Sequence, residues 1–350
     1  METAVKVKNY KTVCIKLGIV MSIFFISGMV CSLLMNVISL NVNITSETTA
    51  YTLTLFMSGA FLYIIPIIAA AVILKDENRS KLSSYYKKPA RLAKAIGNFP
   101  AMYGLGQLTN IVVLLVAWFV TKFIIEAGVA EQQETIERSF RTMDALTPPN
   151  FTCAVILFIH MVFAAAIFEE LFCRGFLLDA LKPYGNGFAI IVTGFLFGIM
   201  HGNFQQFFYT FVLGMVLAYI TVQTGSILAA TILHAMFNSL AAIMMLFLST
   251  QTIEHYFAGI PHEIAENEVV MAGFAMYLVF FLGLLIVGVV LAIKKLTRLK
   301  AYKVSNPFTE ISGAKKALIF FTSVPVLIML ALTADRFAGG FVVSFVVERL

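Results

Sequence analysis

Glu169, Glu170, Arg174, His201, His234 and Asn238 lie in one stretch of the chain. Together they have the side chains that hydrolysis of an amide needs. The first group is Glu169-Glu170-Leu171-Phe172-Cys173-Arg174, after the apolar run 154–168. On a helix Glu170 and Arg174 share a face at i,i+4. Glu169 points about 100° away. This spacing suggests that Arg174 neutralises Glu170 while Glu169 faces something else. The second group is Phe197-Gly198-Ile199-Met200-His201, where Gly194, Gly198 and Gly202 form a ridge of small residues that admits a neighbouring helix. The third is His234-Ala235-Met236-Phe237-Asn238, with His and Asn projecting from one helix face. A carboxylate with a histidine can activate water. A second histidine with an amide can donate hydrogen bonds to a developing oxyanion.

Each group taken alone also fits a structural role. The charges could end a helix in the headgroups, His201 could be a packing residue, and His234 with Asn238 could clamp two helices. Taken together they favour one shared, wet cavity. An ionisable group in a span costs on the order of 2–3 kcal/mol even on the lenient insertion scale, and convergence satisfies all of them at once. His160, nine residues before Glu169, is expected about 180° around the helix and structural. Lys122 is expected to snorkel from an outer helix end, and Gln107 and Asn110 to hydrogen-bond between helices.

The elements that must position these residues are membrane helices. Apolar residues make up 60% of the 350, charged residues 13%, and there are 33 Phe and 16 Met. A soluble fold of this size could not hide so much apolar surface behind so few charges. Soluble enzymes, disordered chains and nucleic-acid binders are thereby excluded. Apolar runs of about 20 residues fall at 17–40, 51–74, 101–125, 150–180, 187–203, 205–222, 226–248, 268–293 and 316–334. The fold class is an all-α polytopic membrane bundle of about eight or nine spans. It divides into N-terminal helices (1–149), a catalytic core of four spans (150–248), and C-terminal helices with a tail (249–350). The 187–222 stretch is the hardest to divide, because His201–Phe204 leaves almost no room for a turn. The first run reads as a retained anchor.

Most of the 25 basic residues fall on one side when the spans alternate from Lys6, Lys8, Lys11 and Lys16. That asymmetry places the N-terminus in the cytoplasm, in a multi-pass protein of a cell membrane, expected to be a bacterial plasma membrane. The outer 126–149 loop has Glu134–Arg138 and Glu137–Arg141 at helical spacing, and His255 and His262 read as solvated. The four cysteines, Cys14, Cys31, Cys153 and Cys173, read as packing residues. Counted from helix ends, Glu169 lies about 16 Å deep and His201 about 21 Å, a mismatch that a tilted or short fifth helix would remove.

The ordered trio Glu169-Glu170-x-x-x-Arg174, Phe197-x-x-x-His201 and His234-x-x-x-Asn238 resembles the CAAX-protease and bacteriocin-processing family of intramembrane endopeptidases. The Thr224-Gly225-Ser226 turn is similar too. The resemblance covers about residues 150–245. It implies a glutamate-based mechanism. Glu169 and His201 would bind and deprotonate water, His234 and Asn238 would stabilise the oxyanion, and Glu170 and Arg174, with Phe197, would support the site. The chain has no His-Glu-x-x-His helix, and the second histidine is paired with an amide, so neither metal nor other cofactor is expected. The expected partners are the bilayer and a membrane-associated peptide or protein substrate. Two other readings stay open: a non-catalytic scaffold or immunity protein of the same family, and a proton-coupled small-solute transporter, although repeat symmetry of the transporter kind is lacking.

Overall fold

The structure is a computed structural model that describes residues 2–77, 85–89, 91–126, 148–248, 268–298 and 311–337. The loop readings at 126–149, His255, His262 and the tail beyond Phe337 fall largely or wholly outside these residues. The described chain is helical, without strands. Lipid cannot hydrogen-bond the backbone, so each apolar run must satisfy its own amides, and the helix does so. In chain order the helices are α1 (Glu2–Asn41), α2 (Glu47–Ile73), α3 (Leu92–Ile96), α4 (Phe99–Glu126), α5 (Phe151–Tyr184), α6 (Asn186–Met200), α7 (Phe204–Thr224), α8 (Leu228–Leu248), α9 (Glu268–Arg298), α10 (Gly313–Phe321) and α11 (Val324–Phe337).

All nine apolar runs are helical, but not all are full spans. Among the described residues seven helices are long and apolar enough to cross a membrane, and α10 with α11 makes an eighth if that pair, bent by 69°, counts as one. The bend falls just before Pro325, which has no amide to donate. The ninth run, α6, has 15 residues, about 22 Å of rise, too short for a hydrocarbon core about 30 Å thick. The full fifth span expected at 187–203 is thus corrected to a short helix.

The tight α6–α7 connection is made by three residues. Gly202 adopts φ +70°, and Asn203 caps α7 by accepting from the Gln206 amide at 2.7 Å. Asn203 also donates to the His201 carbonyl at 3.1 Å. At the other end Gly185, at φ 120°, reverses the chain between α5 and α6. Glu169 and His201 stand equal numbers of residues from Gly185 along the two arms of this hairpin. The depth mismatch came from ending the first arm at 180, whereas α5 continues to Tyr184.

The small-residue ridge of α6 packs on α7. A Cβ on Gly194 would lie 2.5 Å from Met215 Cγ and 3.0 Å from the Met215 amide, and one on Gly198 would lie 2.9 Å from the Phe207 carbonyl. Gly104 and Gly288 let α4 and α9 cross with their backbones in contact. The apolar core is continuous from α1 through α5–α8 to α10 and α11. All four cysteines are free and buried, as packing residues should be. Lys122 lies 5.4 Å from the Trp118 ring centroid. Asn110 Oδ1 is buried without a hydrogen-bond partner among the described residues.

Candidate active site

The site is built where α5, α6 and α8 meet, with α7 behind and α2 beside it. The helix carrying Glu169 and Glu170 is not regular. Two π segments, His160–Ala165 and Leu171–Leu177, flank the short α-helical piece Ala166–Glu170. A third, Ala60–Ile64, interrupts α2 and carries Tyr63. π turns of this kind are rare and recur at functional sites.

Glu170 is wholly buried and forms an ion pair with Arg174 at 2.9 Å. The same oxygen, Oε1, is 2.9 Å from His234 Nδ1. A carboxylate paired with arginine only accepts, so His234 Nδ1 carries the proton and donates it. That leaves His234 Nε2 as the outward-facing atom, 3.9 Å from Glu169 Oε2. Arg174 Nη2 donates to the Gly214 carbonyl of α7 at 3.1 Å, and its guanidinium lies 4.5 Å from the centroid of the Phe197 ring.

Phe197 links the two histidines. Its ring meets His201 edge-on at 5.0 Å and His234 at 5.6 Å between centroids. The His201 ring is also oriented by its own helix, because Nδ1 lies 2.8 Å from the Phe197 carbonyl. A carbonyl only accepts, so Nδ1 bears the hydrogen and a neutral His201 has its lone pair at Nε2. Both imidazoles are therefore fixed through Nδ1, with Nε2 the available nitrogen.

Glu169 is held differently from its neighbour. Its side chain keeps 15% exposure, and Oε2 is buried with no hydrogen-bond partner among the described residues. At 3.9 Å its separation from His234 exceeds hydrogen-bond length. The phenols of Tyr63 and Tyr209 stand close enough to interact with the Glu169 carboxylate. Neither was singled out in the sequence. A tyrosine in an apolar run gives no periodic or charge signal, and the chain has 12.

The structure thus brings Glu169, Glu170, Arg174, Phe197, His201 and His234 into one cluster. Asn238 joins it at one remove. Its side-chain amide donates to the Met161 carbonyl at 2.9 Å, tying α8 to the first π segment of α5. The outward-facing His160 is a correction. His160 Nε2 lies 3.5 Å from the Tyr63 hydroxyl, and the ring of Tyr63 stacks on Phe168 beside Glu169. The π segment between His160 and Glu169 turns less per residue than the regular helix assumed, so both end on the side of Tyr63.

The 85–89 segment braces this arrangement from the loop side. The Tyr85 carbonyl accepts from the Ile227 amide at 2.8 Å and the Ser226 hydroxyl at 3.1 Å, and the Tyr86 hydroxyl donates to the Ile167 carbonyl at 3.1 Å. The same segment thus anchors both the turn that launches α8, with Gly225 at φ +67°, and α5 two residues before Glu169. Among the described residues no group of three His, Cys, Asp or Glu side chains is arranged to hold a metal ion.

Residues 151–240 match the family model described as type II CAAX prenyl endopeptidase Rce1-like. The match takes in all three motifs. No curated protein and no solved structure gives a match.

Proposed function

We propose that this multi-pass membrane protein, whose residues 151–240 form a domain of the Rce1-like family of type II CAAX prenyl endopeptidases, hydrolyses a peptide bond of a membrane-associated substrate with water activated by Glu169 and His201. The observation that carries this reading is the contrast between two adjacent carboxylates. Glu170 is neutralised by Arg174 and His234 at 2.9 Å each. Glu169 has its Oε2 enclosed but no cation at hydrogen-bond length among the described residues, His234 Nε2 standing 3.9 Å away. Burial without a partner is costly for a carboxylate, and a poised general base accounts for that cost.

In this mechanism Glu169, with the Nε2 lone pair of His201, takes a proton from water as the oxygen bonds to the amide carbon. The carbonyl electrons move to oxygen, and His234 Nε2–H stabilises the charge. That requires doubly protonated His234, because Nδ1–H is committed to Glu170. Asn238 has a second amide hydrogen for the same oxyanion. The proton then passes to the leaving nitrogen, the C–N bond breaks, and the acid product loses its proton to the base. Glu170, Arg174 and Phe197 orient the histidines. Residues 150–248 are the catalytic core, and the flanking helices support it. With the basic segments in the cytoplasm, the site opens toward that side.

The test is comparison of membrane peptides from cells carrying wild-type protein or the Glu169→Gln variant. Peptides that shorten only with wild type, and whose purified precursors are cut by it, identify the substrate. Identical peptide populations, or rescue of a deletion phenotype by Glu169→Ala, would favour a scaffold instead.

A further inference from the structure

Arg336 lies on α11, far in sequence from the catalytic motifs, yet it reaches their edge. Its side chain packs between two glycines. A Cβ on Gly202, the residue after His201, would lie 3.0 Å from Arg336 Cδ and 3.1 Å from Nε. A Cβ on Gly28 of α1 would lie 3.5 Å from Nη1. The guanidinium is close enough to His201 to act on it electrostatically. Nη1 is enclosed and has no hydrogen-bond partner among the described residues. The residue as a whole keeps partial exposure, so its side chain is not sealed off. The neighbours named here, Gly28, Gly202, His201 and buried Cys31, supply no carboxylate. Arg174 is the contrasting case, matched by Glu170. An enclosed cation with no carboxylate paired to it among the described residues is unfavourable in a membrane helix, and a bound anion relieves it.

We propose that Arg336 is a substrate subsite that binds a carboxylate of the peptide beside His201. The guanidinium fork matches a carboxylate in two parallel hydrogen bonds. The proposal rests on the peptidase reading for its choice of ligand. Two sources share this chemistry: a free C-terminal carboxylate, or an acidic side chain near the cut. Arg336 thereby positions the substrate without entering the chemical step.

The experiment measures binding in the full chain carrying Glu169→Gln, so that it needs no turnover. Fluorescently labelled apolar dodecapeptides are titrated in three forms: a free C-terminal acid, its amide, and the amide with one Glu near the end. We expect the acid, the Glu form, or both to bind about tenfold or more tightly than the plain amide. Which form gains identifies the source. Arg336→Gln should remove the gain and leave amide binding unchanged, and Arg336→Lys should retain part of it. Equal binding of all three forms would overturn the proposal, and this arm needs no Arg336 variant. So would an Arg336→Gln protein, folded by thermal melt, that weakens all forms alike. If wild type cuts no peptide yet discriminates acid from amide through Arg336, the subsite stands and the peptidase reading fails. If it cuts but does not discriminate, the reverse holds.

Discussion

Glu169 and Glu170 are neighbours in the chain and opposites in environment. Glu170 Oε1 is shared by Arg174 and His234, both at 2.9 Å, so its removal leaves a buried guanidinium unpaired. Breaking a buried pair costs about 3–5 kcal/mol. Glu170→Gln should therefore lower the thermal unfolding midpoint in detergent sharply. Glu169→Gln should leave that midpoint unchanged or raise it, because it removes a largely enclosed charge without orphaning a cation at hydrogen-bond length: His234 Nε2 stands 3.9 Å away. Equal losses from the two variants would contradict the division of roles. The i,i+4 pairing of Glu170 with Arg174 was legible in the sequence, because helical geometry alone brings those residues together. The second acceptor role of Glu170 was not, since it depends on where α8 crosses α5. Tyr63 was invisible for the same reason, and it comes from a helix outside the motif-bearing segment.

At the scale of the elements, α5 and α6 form a hairpin about Gly185 with Glu169 and His201 the same number of residues from the turn. The glycine ridge of α6 then holds α7 close enough for the Gly214 carbonyl to reach Arg174 at 3.1 Å. The ridge could be read from residues 194, 198 and 202, because small residues at that spacing define a contact face. Gly194→Val should force the helices apart, since a Cβ there already meets the Met215 backbone amide at 3.0 Å. We expect a loss of folded yield and of activity together, seen by size-exclusion chromatography and cleavage. A monodisperse, active variant would contradict this packing. The short length of α6 and the π segments were not readable. Hydropathy does not distinguish a 15-residue helix that stops at a turn from a longer one running on into the next apolar run. A π turn leaves no mark in residue type. The orientation expected of His160 failed on that point.

Across the whole molecule, the first and last described helices close on each other. A Cβ on Gly18 of α1 would lie 2.6 Å from the Val326 amide of α11, and the Tyr10 hydroxyl donates to the Lys316 carbonyl at 2.8 Å. Lys316 itself, buried, donates to the Tyr184 carbonyl at 2.8 Å, so α10 is fastened to the end of the α5–α6 hairpin. Gly18→Val should loosen α11 and lower the unfolding midpoint, although neither helix carries a motif residue. An unchanged midpoint would contradict the contact. Composition made the membrane bundle legible, while this closure of the chain ends was not, because apolar helix faces carry no address. The central claim is that groups on three helices act as one water-activating unit. It is tested most directly by the cleavage rates of purified, folded Glu169→Gln, His201→Ala and the double variant on a peptide that wild type cuts. We expect each single change to cost about 100-fold or more and the double to fall little below the worse single, as for residues that act together. Near-normal cleavage by either single variant, or losses that simply multiply, would contradict the account.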